Sequence, residues 1–369
     1  MIYLMATNTD YVNGRLTGAH FRFLELAKGL ARHNKVIIIS KPIPQLESEE
    51  NIVFYHIKEK NFRFIPDHID TILSISKRSR QVKKRERYNV TISFTPFITI
   101  AFKLGGIKKI VSLFREDLIG YHQIIGTNRL KIFYYRLIEL FAVKSSHKII
   151  VQCKDDRNNL INRVCNFEKN IVSKVEIQIN NANASWMNTK SRDYVENDVP
   201  NVLFIGEFSN IRKGHHILLE AATRLYDEGY KFLLFMAGDG VELPQYIEKY
   251  KHYRQIGFLG RIKTTDYLTK SDIVVVPSLI DSCPNTVLES LNAGVAVYGS
   301  NRGGISELLV ESKYLFEPNV ESLYQFLKGI IDSRRYIEDS VKQQNRKKEL
   351  CFDWAKKIEE LINEQIEIY

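Results

Sequence analysis

Residues 201–221 read NVLFIGEFSNIRKGHHILLEA, and their order decides the fold class. An apolar run ends at Gly206, a polar loop carries Arg212 and Lys213, and Gly214 permits a tight turn. Apolar residues then recur at helical spacing. Strand, loop and helix in that order make half of a parallel crossover unit. Upstream, MIYLMAT (1–7), KVIIIS (35–40), NIVFYHI (51–57), NVTISFT (89–95), KKIVSLF (108–114) and KIIVQC (148–153) are short β-rich runs. FRFLELAKGLARH (21–33), a basic segment around 67–87 and a long segment near 128–146 supply helices between them. Downstream, VEIQI (175–179), KFLLFMAG (231–238), QIGFLG (255–260), DIVVVPS (272–278) and VAVYGS (295–300) are further strands. Helices fall around 242–252, at 286–294, near 320–332 and over 335–366. The expectation is an α/β protein of two doubly wound, Rossmann-like domains facing each other across a cleft.

The remaining features fit that expectation. A chain of 369 residues exceeds one ordinary core. An Asn-rich polar stretch, 180–201, is the expected hinge. The domains are therefore placed at 1–182 and 183–349. Hydrophobic content of 44% and charged content of 26% describe a folded chain. No apolar stretch has the roughly 20 residues needed to span a bilayer, and MIYLMATNTDYVNG lacks the pattern of a secretory leader. Cytoplasmic localisation is expected, with a peripheral position at the inner membrane face. Cys153, Cys165, Cys283 and Cys351 have no paired spacing, which argues against disulfides and a zinc site. Net charge is +10 and pI about 9.2, which favours an anionic partner. SKRSRQVKKRER (76–87) is the densest basic run and reads as a solvated helix face or as a contact for an anionic membrane surface. Nucleic acid is excluded as a partner because no stacking platform or binding motif accompanies the charge.

In open α/β sheets ligands bind beyond the carboxyl ends of strands, where helix N-termini present N–H groups to anions. Four strand-end motifs meet that condition. Arg212 and Lys213 in the first suit a diphosphate, as a donor fork and a point charge. In AGDG (237–240), Gly238 and Gly240 flank Asp239, so that the backbone can turn against a ligand or a neighbouring loop. It is neither a dinucleotide fingerprint nor a P-loop. IVVVPSLIDSCPNTVLESLNAG (273–294) ends a buried strand at Pro277, carries Asp281 and Pro284-Asn285, and starts a helix near Thr286 with Glu289 in its first turn. VAVYGSNRGGISELL (295–309) adds a loop with Gly303-Gly304.

In this order the motifs resemble the retaining, nucleotide-sugar-dependent glycosyltransferases of GT-B fold, family 4 (group 1 glycosyltransferases). GEFSNIRKG, AGDG, Asp281 through Glu289, and GGISEL correspond to that family's C-terminal domain. GRLTGAHFRFLELAKGLARHNKVIIIS (14–40) looks like its glycine loop and first long helix. KIIVQCKDDRNNLI and VEIQINNANASWM resemble its interdomain passage. FDWAKKIEELINEQIEIY resembles its terminal helix, which implies that about 350–369 return to the first domain.

The resemblance implies transfer of a sugar from a nucleoside diphosphate sugar, UDP ahead of GDP, to an acceptor hydroxyl with retention. The enzyme would be of hexosyltransferase type. It implies Glu289 at the ribose hydroxyls, Asp281 at the donor sugar, and Cys283, Pro284, Asn285 and Thr286 as backbone contacts. Gly206, Gly238 and Asp239 join the donor site, with Gly14 and Gly18 as alternative phosphate-loop glycines. Asp281 is one methylene shorter than the usual Glu, and Glu207 stands where many members carry Arg; Arg212 takes that diphosphate contact beside Lys213. Where many members carry a His facing the transferred sugar, IVSLFREDLIGYHQ (110–123) offers Arg115 or Asp117 to face the acceptor, a helix-capping role being the alternative for the acid. No Asp-x-Asp motif lies at a strand end, so metal-independent activity is expected, with no cofactor beyond the co-substrate. The expected acceptor is lipid-linked or part of an envelope polysaccharide. It belongs to the first domain, which also carries KNFRFIP (60–66). The alternatives are a nucleotide-sugar epimerase of similar two-domain fold and a non-catalytic sugar-nucleotide-binding module.

Overall fold

The computed structural model describes residues 1–12, 16–57, 66–184, 187 and 198–364. Gly14 and most of KNFRFIP lie outside them. The described strands are β1 (Ile2–Ala6), β2 (Lys35–Ser40), β3 (Ile52–His56), β4 (Val90–Ser93), β5 (Ile110–Leu113), β6 (Lys148–Val151), β7 (Val175–Ile177), β8 (Asn201–Ile205), β9 (Leu233–Ala237), β10 (Ile256–Gly260), β11 (Ile273–Val276), β12 (Ala296–Ser300) and β13 (Leu315–Phe316). They form two sheets, ordered β3-β2-β1-β4-β5-β6-β7 and β10-β9-β8-β11-β12-β13. Every described pairing is parallel. Helices cover both faces of such sheets, so the strands are near-continuous apolar runs: Val36 to Ile39 and Ile273 to Val275 have no exposed surface. Strand order reverses between β1 and β4 in one sheet and between β8 and β11 in the other, which opens a crevice at each carboxyl edge.

The chain divides into two units. The first comprises Met1–Ile119, Asn128–Ile179 and Asp353–Tyr369; the second comprises Gly120–Thr127 and Asn180–Phe352. The helical stretch expected over 335–366 is two helices, Tyr336–Glu349 and Trp354–Asn363. Asp353 separates them because its carboxylate accepts the Lys356 N–H at 3.0 Å and caps the second helix. The first of the pair docks on β12 through Gln343, whose side chain bonds both N–H and C=O of Val297, at 2.9 and 2.8 Å. The second packs on the helix Gly18–Ala31, with Trp354 1% exposed.

Candidate functional site

In the second unit the loops after β8, β9, β11 and β12 are joined at points where only glycine fits. A Cβ on Gly214 (φ 69°) would meet the Pro277 carbonyl oxygen at 1.9 Å. One on Gly238 (φ 142°) would meet that of Gly206 at 1.7 Å, and one on Gly303 (φ 54°) that of Asp281 at 2.2 Å. The Phe208 N–H donates to the Asp239 carbonyl at 2.9 Å, and the Gly304 N–H to that of Asp281 at 2.9 Å. AGDG therefore turns against a neighbouring loop.

Onto this backbone the sequence hangs its charges. Lys213 Nζ donates to Asp281 Oδ2 at 2.5 Å, joining the β8 and β11 loops across 68 residues of chain. The Leu279 N–H donates to the Arg212 carbonyl at 2.8 Å beside it. The Arg212 guanidinium is 3.8 Å from the Glu207 carboxylate and stacks 5.4 Å from the Tyr121 ring centroid. Asn210 Oδ1 accepts from the Arg212 N–H at 3.1 Å and so sets the turn that precedes Gly214. Tyr121 and Asn210 were not legible as site residues, because nothing in GYHQ or FSN signals a partner for Arg212.

The helix after the Pro-Asn turn is Asn285–Ala293. Glu289 is its fifth residue, so the expectation of a first-turn acid is corrected: it stands just past the first turn, half-buried. Cys283 is buried, at 7% exposure. Beneath the β8 loop, His215 opens the next helix with no exposed surface, against Phe208 and Tyr246 at 4.7 and 4.6 Å between ring centroids. Burial, with His216 adding to it, lowers its pKa to about 4. Glu242 lies 3.6 Å from Nε2, too far for a hydrogen bond.

In the first unit, a cavity of about 600 Å³ lies at the carboxyl ends of β1, β4 and β5. Thr9, Tyr11, His20, His68, Phe97 and Arg115 are among its lining residues. Burial lowers the pKa of His20. It does the same for His68, helped by Lys131 and opposed by Asp67. Gly18 begins the helix Gly18–Ala31, where the His20 ring accepts the Thr17 N–H at 2.8 Å. Arg115 borders this cavity, its guanidinium 5.3 Å from the Trp354 ring centroid. Asp117 does not face it in that way. It is 5% exposed and pairs with Arg163 at 2.9 Å. The same guanidinium holds Glu139 through two bonds of 2.8 Å. Asp117 thus pairs with a half-buried cation, a structural role beside the acceptor-facing one expected of it. Among the described residues no group of three His, Cys, Asp or Glu is placed to hold a metal ion.

Residues 199–333 match the family described as "Glycosyl transferases group 1". Protein CapJ of Staphylococcus aureus is 30% identical over 141 residues, 36% of each chain. The chain spans less than two thirds of the length of the first curated relatives, from 36% to 61%. Among solved structures, Anabaena HepE in complex with UDP-glucose superposes with a TM-score of 0.73 at 16% identity, over 100% of both chains. WaaG, a glycosyltransferase involved in lipopolysaccharide biosynthesis, gives 0.72 at 14% identity, over 98% of this chain and 99% of its own. The chain has the GT-B fold. The family likeness is carried by residues 199–333, and the likeness to solved structures shows the fold alone.

In this GT-B chain the structure brings Gly206, Arg212, Lys213, Gly238, Asp239 and Asp281 together on interlocked loops of one unit, with Cys283 to Thr286 leading from Asp281 into the Glu289 helix. Arg115, Asp117 and Gly18 belong to the other unit.

Proposed function

We propose that the chain is a retaining glycosyltransferase of hexosyltransferase type. It moves a sugar from a nucleoside diphosphate sugar, UDP ahead of GDP, to an acceptor hydroxyl. The observation that carries this reading is the 2.5 Å pairing of Lys213 with Asp281 at the mouth of four interlocked strand-end loops. It sets a cation where a diphosphate would leave and a carboxylate where a sugar hydroxyl would bind.

Breaking the anomeric C–O bond leaves the electron pair, and so negative charge, on the diphosphate. Lys213 and Arg212 stabilise that charge as it develops, in a loop whose geometry needs no rearrangement. The sugar passes through an oxocarbenium-like state. The leaving phosphate oxygen takes the acceptor's proton as the new glycosidic bond forms on the same face. Asp281 uses Oδ2 to aim Lys213 and offers Oδ1 to a donor hydroxyl. Glu289 receives the ribose hydroxyls, and the backbone from Cys283 to Thr286 lies alongside. No step calls on a metal or cofactor.

The first unit's cavity, with its uncharged histidines, suits the acceptor. HepE's complex with UDP-glucose supports UDP as the donor nucleotide. WaaG's role supports an envelope or lipid-linked glycan as acceptor. A cytoplasmic enzyme peripheral to the membrane fits such an acceptor, and no described helix is long and apolar enough to cross a membrane.

A thermal-shift panel of nucleoside diphosphates tests the donor site, since a ligand stabilises in proportion to its affinity. UDP should raise the midpoint most, and Glu289→Ala should weaken that binding by about tenfold, the worth of a lost charge-assisted bond. No shift with any diphosphate would overturn the reading. Release of nucleotide that does not depend on acceptor would favour the epimerase instead.

A further inference from the structure

The loop after β8 has an acid where a diphosphate would favour a base. Glu207 follows Gly206 directly, and its half-exposed carboxylate lies 3.8 Å from the Arg212 guanidinium. That gap is too long for a hydrogen bond. The Arg212 side chain is 20% exposed, and its Nε is a covered donor with no acceptor among the described residues. A buried donor left unpaired is costly, so such a group points to a ligand that pairs it. Lys213 differs, because its ammonium is already bonded to Asp281.

What holds Arg212 is Tyr121. The ring centroid lies 5.4 Å from the guanidinium carbon, within the range at which a cation is attracted to an aromatic face. Stacking uses none of the fork's N–H groups. Asn210 ties the pair together across 89 residues of chain: its Oδ1 accepts the Arg212 backbone N–H at 3.1 Å, and its Nδ2 reaches the Tyr121 hydroxyl at 3.5 Å. Tyr121 is half-buried, with the His122 ring 5.0 Å away between centroids. His122 Nδ1 in turn lies 3.0 Å from the Thr127 hydroxyl. All of these residues belong to the second unit.

We propose that Tyr121 is a positioning residue of the donor site: its ring holds the Arg212 guanidinium, with its hydrogen bonds unspent, for the terminal phosphate of a nucleoside diphosphate. This role rests on the donor site proposed above and adds the group that aims its cation. A phosphate accepts from the fork in two parallel bonds, which the distant Glu207 carboxylate does not do. A long side chain already ordered by stacking loses less freedom on binding, so the ring acts through affinity for that phosphate. The bond that breaks in transfer is on the same phosphate, where negative charge collects.

Calorimetric titration of the full chain with UDP and with UMP tests this role. Tyr121→Leu keeps bulk without an aromatic face. It should weaken UDP by about tenfold and UMP by less than about twofold, with the thermal midpoint unchanged. Tyr121→Phe keeps the face and should bind UDP within about twofold of wild type. Tyr121→Leu in an Arg212→Ala background should cost nothing further, since no guanidinium is left to position. The role is overturned if Tyr121→Leu binds UDP as wild type does, or if UMP suffers as large a loss. It is equally overturned by a Leu substitution that costs as much without Arg212 as with it. Wild type that binds neither nucleotide would overturn the donor site itself, and the role of Tyr121 with it.

Discussion

The two sheets share a topology and differ in how the loops at their carboxyl edges are held. In the second unit, backbone meets backbone: Gly214 on Pro277, Gly238 on Gly206, Gly303 on Asp281. In the first, side chains line an open cavity, with Tyr11, His20, His68 and Phe97 around it. On the proposed reading, the difference teaches that a ligand constant across donors would call for a rigid cradle, and one that varies between enzymes for replaceable side chains.

The comparison breaks most sharply at a glycine. Gly238→Ala puts a Cβ 1.7 Å from a carbonyl oxygen at φ 142°. It should cost about 4 kcal/mol or more in a urea titration, because both strain and clash apply. A smaller loss would show that the loops are not interlocked. Next, Lys213→Ala should lower turnover by about 10²–10³ with the fold intact, the usual effect of removing one preorganised donor from developing negative charge. Steady-state kinetics would measure it, and a change confined to KM would assign Lys213 to binding alone.

His215 sharpens the contrast through pH. Its folded pKa, about 4, lies below the ordinary histidine value of 6.5, so the unfolded chain binds the proton first. Stability should therefore fall as pH drops from about 6.5 towards 4, by on the order of 2 kcal/mol between pH 7 and 4.5 from this residue. His215→Phe should flatten that acid limb; an unchanged limb would place the proton elsewhere. The smallest effect belongs to the other unit. His68→Ala should raise the acceptor KM by about threefold to tenfold, as for one modest polar contact, without altering nucleotide affinity.

Much of this contrast could be read beforehand in the second unit and little in the first. KVIIIS and DIVVVPS announce buried parallel strands because each holds an unbroken run of four β-branched apolar residues. RKG, AGDG and the Asp281–Glu289 stretch are local in sequence, so their loops could be placed. The pairing of Asp117 could not be read because its partner Arg163 is 46 residues away. Tyr121 was invisible for a related reason: Gly120–Thr127 groups with the second unit though it interrupts the first in sequence. Glu289 was misplaced by one residue along its helix because a Pro-Asn turn does not say which residue begins the helix.

Trp354 has a consequence for synthesis. It stands between the Arg22 and Arg115 guanidinium groups, at 5.6 and 5.3 Å from their centres, so residues near both ends of the chain close one core. The second unit is in effect an insertion, complete once Phe352 has emerged. On a ribosome the first unit's earlier segments therefore wait for the helix Trp354–Asn363, made after the second unit, to seal their core.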